Sequence, residues 1–209
     1  MQTVDIEIPG NVLKALSIFA AAKIDPRHFL QGVYVHLQNH KIVGVATDGK
    51  ILGLSRSLFS NLANGEGVFI PTMMISSLLK GGGGKWLKGS VFIKSEGSLV
   101  PGMEYKLTLS LGGQAVSSYV RGVTYAQYQN ILPRSFTRVY GAYDPNLLLR
   151  LQDAFTLATG QVLLPLIGNG VNGAAAAYDV DSKWFSLVMP LSNKLGDEQP
   201  DTLPEMFLF

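Results

Sequence analysis

The chain has 209 residues, a formal net charge of +2 and no cysteine. With 47% hydrophobic and 15% charged residues it can bury a sizeable core, so wholesale disorder is excluded. The missing cysteines exclude a disulfide framework, a thiolate metal site and a cysteine nucleophile. The first residues, MQTVDIEIPG, lack a basic segment followed by an apolar run, so no signal peptide is expected. No apolar stretch approaches the roughly 20 residues that span a bilayer, and the expected address is the cytoplasm. A near-neutral charge neither demands nor forbids nucleic acid; the placement of Lys and Arg decides that.

In chain order, DIEIPGNVLKALSIFAAA from Asp5 reads as a strand, a turn and a helix. Ile6 and Ile8 share a strand face, and Leu13, Leu16 and Phe19 or Ala20 form a helical stripe. Three strand-like runs follow, GVYVHLQ, KIVGVAT and ILGLSRS. Asn39-His40 and Asp48-Gly49 are the turns between them, and Asp-Gly is a strong hairpin signal. The pattern then restarts. GVFIPTMMISSLLKG from Gly67 is a strand and a helix with Met74, Leu78 and Ile75 on one stripe. GSVFIKS, YKLTLSL and QAVSSYVRG follow it, with Gly112-Gly113 as a turn. A third start, RVYGAYDPNLLLRLQDAFTLA from Arg138, has Leu148, Leu151 and Phe155 at helical spacing. Asp144 supplies an N-cap acceptor there, and Pro145 the first helical position. QVLLPLIG, AAAAYDV and KWFSLVMPL complete it.

The unit expected is one strand, one helix and three strands, three times over, with starts about 60 to 70 residues apart. A single unit of this size cannot cover both its sheet and its helix. Two side by side make a domain, and three leave one unit without an internal partner. The fold class expected is therefore α+β with three β-α-β-β-β repeats.

Four ordered segments carry a family resemblance. VATDGKILGL (45–54), VFIPTMMISSLL (68–79), TYAQYQNILP (124–133) and WFSLVMPLS (184–192) resemble the corresponding segments of the bacterial DNA polymerase sliding clamps, the β-clamp processivity factors. An ATDG turn alone is weak; four matches in order are specific. The resemblance implies a DNA-clamp fold, no enzymatic activity and no cofactor. It divides the chain into a complete clamp-type domain at 1–133, a half domain at 134–193 and a tail at 194–209. A clamp subunit of that family has three domains of two units, so its first domain and half of its last have no counterpart here. Its closed ring has twelve units; three per chain would need four chains. The expectation is a homo-oligomer, dimer or tetramer, in which the third units of two chains pair and two such dimers close a ring.

The resemblance also implies sites. Clamp helices line a central hole and touch phosphate without reading sequence. The DNA-facing candidates are Lys14, Lys23 and Arg27 near the first helix, Lys80, Lys85 and Lys88 after the second, and Arg150 in the third. Each reads equally as an ordinary solvated charge. The family's partner-peptide pocket maps onto Thr47, Gly49, Lys50, Ile51 and Leu52, onto Pro133, and onto Leu187, Val188, Met189, Pro190 and Leu191. These apolar residues read otherwise as core. The family's His and Arg in the first of these segments are Lys50 and Ile51 here, so the rim and its partner differ. The tail ends Glu205-Met206-Phe207-Leu208-Phe209, which resembles the short peptide by which polymerases dock into clamps, with Glu205, Met206, Leu208 and Phe209 at the matching positions. It could fill its own chain's or a neighbour's pocket, pack on its own fold, or bind another clamp.

Other chemistry is weakly signalled. KGGGGKW (80–86) lacks the Ser or Thr of a phosphate-binding loop and follows a helix rather than a strand. His36 and His40 are four apart but lie in a hairpin pattern with no third ligand near; His28 sits by a proline loop. No nucleophile elbow or placed carboxylate pair occurs, and Asp48 reads as a turn residue. The leading expectation is a clamp-like scaffold that binds duplex DNA non-specifically and docks polymerase or other clamp-binding peptides. The other is a regulatory protein that uses its tail to bind a host clamp without encircling DNA.

Overall fold

The computed structural model describes residues 3–38, 40–56, 58–81, 88–133, 136–139, 141–170 and 172–191. The first unit contains β1 (Thr3–Pro9), α1 (Gly10–Phe19), β2 (Gly32–Gln38), β3 (Lys41–Thr47) and β4 (Ile51–Ser55), followed by the two-residue β5 (Phe59–Ser60). The second has β6 (Gly67–Pro71), α2 (Thr72–Gly81), β7 (Ser90–Gly97), β8 (Glu104–Leu111) and β9 (Gln114–Arg121). The third has α3 (Pro145–Thr159), β10 (Leu166–Ile167), β11 (Ala175–Asp179) and β12 (Trp184–Val188).

The first two units exchange their leading strands. β1 leaves its own unit and pairs antiparallel with β7, from Thr3↔Glu96 to Pro9↔Ser90. β6 does the reciprocal thing and pairs with β2, from Gly32↔Pro71 to His36↔Gly67. The result is two antiparallel sheets, ordered β5-β1-β7-β8-β9 and β10-β11-β12-β4-β3-β2-β6. Tyr105 of β8 locks them together. Its hydroxyl accepts from the Phe69 backbone N–H and donates to the Phe69 carbonyl, both at 2.9 Å. This satisfies two backbone groups of β6 in a site where an unpaired one would cost stability.

The strand patterns explain which faces are covered. In β1, β7 and β8 buried and solvated residues alternate, as expected of a sheet packed on one face. β3 and β4 are instead buried on both faces over 43–47 and 51–55. Helices cover one side: an added Cβ on Gly53 would meet the Phe19 ring of α1 at 2.5 Å, so only glycine fits there. The segment 122–133, linking the second unit to the third, covers the other. Tyr125 stacks on Tyr34 with ring centroids 4.9 Å apart. The Tyr128 hydroxyl donates to Gln38 Oε1 at 2.7 Å and so accepts from His36 Nε2 at 2.9 Å.

Two expectations change in the third unit. Its leading segment forms no strand in the described residues 138–139 and 141–144, and QVLLPLIG forms only the two-residue β10. The leading strands of the other units are held by an exchanged sheet, and among the described residues no unit exchanges a strand with the third. Pro165, which lacks an N–H, also stops the β10 ladder. The unit is nonetheless supported. β12 pairs with β4 from Trp184↔Ser55 to Val188↔Ile51, making one continuous seven-stranded sheet. α3 packs beside α1, where Asn11 Nδ2 donates to the Leu157 carbonyl at 3.0 Å. Trp184 lies 6.0 Å from Phe19, ring to ring. The capping of α3 follows its sequence: Asp144 accepts from the Asn146 N–H, Pro145 opens the helix, and Gly160 ends it at φ +77°.

Candidate functional site

The turn between β3 and β4 is a knot of side-chain bonds. Thr47 Oγ1 donates to the Ile51 carbonyl at 2.6 Å and accepts from the Gly49 N–H at 3.0 Å. Asp48 Oδ1 accepts from the Lys50 and Ile51 N–H groups, which makes it the turn residue expected. Its other oxygen, Oδ2, takes Arg150 Nη1 at 2.7 Å, and the second Arg150 nitrogen donates to the Ile18 carbonyl at 2.6 Å. Arg150 thus ties α3 to α1 and to the turn. Arg27 is engaged too, by Asp25 at 2.7 Å and by the Asp48 carbonyl at 3.0 Å. That guanidinium holds the Asp25 carboxyl down at about 2. Gly49, at φ +92°, leaves room for Arg27 Nη1.

Of the expected DNA-facing cations, Arg27 and Arg150 therefore spend their charge on intramolecular partners. Lys14 projects from α1 on the stripe of half-buried residues that also carries Asn11 and Ser17. Lys23, Lys80 and Lys88 are exposed. None of these four lysines makes an ion pair with a described residue. Lys85 lies outside the described residues. α1 sits between α3 and α2, so the three helices stand in a row on the faces of the sheets that hold the core. Asp153 of α3 is exposed, so the helical face is only weakly basic.

The expected pocket residues are brought together, but differently from the expectation. Met189 N–H donates to the Lys50 carbonyl at 2.8 Å, and Leu187 and Val188 pair with Leu52 and Ile51. Ile51, Leu52, Leu187 and Val188 are at most 1% exposed and Thr47 is 4% exposed, so these five are core, not lining. At these positions β4 and β12 are covered on both faces, which leaves these side chains no open surface. Gly49, Lys50, Met189, Pro190 and Leu191 are half-buried or exposed around them. The open cleft, about 820 Å³, lies toward the other end of the same two strands, and of the expected residues it includes only Pro133. Leu54, Phe185 and Tyr178 line it together with Leu132. Leu54 pairs with Phe185 and Phe185 with Tyr178, so the three share one face of the sheet. Strand alternation puts that face opposite to Gly53, hence away from the helices. Lys41, Arg56 and Lys183 stand at the rim, with Asp179 as an acid among them. Sequence reading missed these residues because they come from four separated segments; the alternation of Leu54 with Leu52 was the one available signal. Glu205, Met206, Leu208 and Phe209 lie outside the described residues.

The aromatic group over the sheet sets the connector beside this cleft. Burial pushes the Tyr128 hydroxyl up to about 12 and holds His36 below its usual value. Burial favours the neutral His36 ring, and its Nε2 N–H is spent on Tyr128; among the described residues no group of three His, Cys, Asp or Glu side chains could hold a metal. No described helix is long and apolar enough to cross a membrane.

No protein-family model and no curated protein sequence matches the chain. Solved structures do match. A DNA polymerase sliding clamp from Pseudomonas aeruginosa superposes with TM-score 0.62 at 18% identity, over 90% of this chain and 66% of that one. A sliding clamp from Bartonella birtlesii, solved bound to griselimycin, gives TM-score 0.62 at 17% identity, over 90% and 65%. The polymerase III beta of Caulobacter crescentus gives TM-score 0.60 at 19% identity, over 90% and 66%. The exchanged strands, the row of helices and the continuous junction sheet, together with these superpositions, establish that the chain has the sliding-clamp fold of the bacterial polymerase III beta subunits and spans about two thirds of their length.

Proposed function

We propose that the chain is a clamp-like replication scaffold that lies along or encircles duplex DNA with its helices toward the phosphates and docks partner peptides on the opposite face. The observation that carries this reading is the two-sidedness of the molecule: three helices in a row on one side, an apolar cleft with basic side chains on the other. Lys14, Lys23, Lys80 and Lys88 are the proposed phosphate contacts, with Lys85 beside them in sequence. Few cations per chain suit weak, uniform contact, and binding would fall off gently with salt, by a log–log slope of about −0.9 for each phosphate neutralised. Residues 1–133 act as the complete domain and 134–193 as a half domain. Four chains would then supply the twelve units of a ring. The partners are DNA, a polymerase or another clamp-binding protein, and further copies of the chain. Scaffolding asks for no catalytic group, and none is assigned.

The test is retention on DNA. The protein should stay on circular duplex and run off the linearised form, and Lys14→Glu with Lys80→Glu should abolish retention. Light scattering should report an assembly larger than one chain. A monomer with no salt-dependent DNA binding would overturn the reading.

A further inference from the structure

The proposed peptide-docking role leaves the occupant of the cleft open, and the chain itself offers one. After Leu191 come residues 192–209, SNKLGDEQPDTLPEMFLF. They hold four acids, Asp197, Glu198, Asp201 and Glu205, against the single base Lys194, and then a run of large apolar side chains from Met206 to Phe209. The cleft is the complement. Its floor is apolar, with Leu54, Leu132, Tyr178 and Phe185, and its cations Lys41, Arg56 and Lys183 make no ion pair with a described residue. Tyr178 is 44% exposed and its neighbour Val180 is 76% exposed, which is apolar surface normally covered by something.

The reach is sufficient. Phe185 in the floor precedes Leu191 by six residues, about 20 Å of strand. Residues 192–202 span up to about 36 Å when extended. The tail can therefore turn back along β12 and bring Leu203 and Met206–Phe209 to the cleft of the chain that carries it. A neighbouring copy is not needed, and tethering raises the local concentration of the segment to the order of millimolar.

We propose that residues 197–209 dock in the cleft of their own chain, acids against Lys41, Arg56 and Lys183 and the Met206–Phe209 run on the Leu54–Phe185 floor, so that a partner peptide must displace the tail. The inference rests on the reading of the cleft as a peptide site. It makes docking self-limiting: only a peptide stronger than the tethered tail gains access.

A labelled synthetic peptide of residues 197–209 distinguishes the outcomes. It is titrated against the full chain and against a full-length variant with Met206, Phe207, Leu208 and Phe209 all changed to Ser. The peptide should bind the variant at least about tenfold more tightly than the parent, because the parent cleft is occupied. Arg56→Glu with Lys183→Glu, both exposed in the structure, should abolish peptide binding to the Ser variant. Equal binding to parent and variant would overturn self-docking while leaving the cleft a peptide site. No binding of the peptide to either chain would overturn self-docking, and the wider peptide-site reading falls with it only if griselimycin, bound by the Bartonella clamp, also fails to bind the Ser variant. Hydrogen exchange of the full chain should show Leu54 and Phe185 protected equally across a hundredfold range of protein concentration; protection that grows with concentration would mean docking between chains and would overturn the same-chain assignment.

Discussion

The first two units and the third unit solve the same problem in different ways. Each of the first two gives its leading strand to the other, so that β1 and β6 cannot leave without opening a second sheet. Among the described residues no unit exchanges a strand with the third, which is held by the strand pair β4–β12 and the helix pair α1–α3. The described residues of its leading segment form no strand, its first strand shrinks to Leu166–Ile167, and its surface carries Leu149, Val162 and Leu163 at 63%, 77% and 84% exposure. Exchange makes a unit self-sufficient; addition to an edge leaves apolar surface and an open strand behind. The third unit is where another surface has most to gain by packing.

The contrast can be broken most strongly at the junction. Trp184→Ala removes the largest fully buried side chain of the third unit and should cost about 3–5 kcal/mol. Denaturant unfolding should then show the third unit melting ahead of the other two, as a separate transition. Loss of Tyr105 should act on the exchanged pair instead. Tyr105→Phe strips two backbone groups of Phe69 of their partner and should cost about 1–3 kcal/mol, with a single transition retained because the two units share strands. Cutting the Asp48–Arg150 pair with Arg150→Met keeps the aliphatic packing and removes the ties to Asp48 and Ile18. The expected loss is about 1–2 kcal/mol, read as faster hydrogen exchange in β11 and β12 than in β7 and β8.

Acid should loosen the connector between the units by less. Burial holds His36 below its usual 6.5, so the unfolded chain binds the proton more readily than the folded one. That contribution to stability is complete above about pH 6.5 and is lost as pH falls from there through the lower folded value. His36→Gln can still donate to Tyr128 and should flatten this part of a stability-versus-pH curve. The smallest effect is expected on the open surface. Val162→Ser with Leu163→Ser should shift the stability of one chain by under about 0.5 kcal/mol per site. If third units pair between chains, the same change should lower the assembled mass seen by light scattering.

The threefold recurrence, the three helices with their buried stripes and the Asp144-Pro145 cap follow from local patterning. So do the Asp48-Gly49 turn and the resemblance to clamps. Hydrophobic period and turn chemistry are properties of short windows of chain, and a clamp unit is built almost wholly from them. Local pattern could not say that β1 and β6 would trade places, because a strand carries no mark of which edge it will join. Nor could it say that β4 and β12 would become central strands, sealing Ile51, Leu52, Leu187 and Val188 inside and moving the open cleft to Leu54, Phe185 and Tyr178. Burial on both faces depends on what crosses above and below, and the connector that crosses here meets β2 side chains 90 and 92 residues away in the chain. Likewise Arg150 reads as a free cation on a helix until the turn at Asp48 is folded beside it. The sequence by itself determined the units; tertiary structure decided which edges they share, because backbone pairing is nearly indifferent to side-chain identity until the whole sheet is assembled.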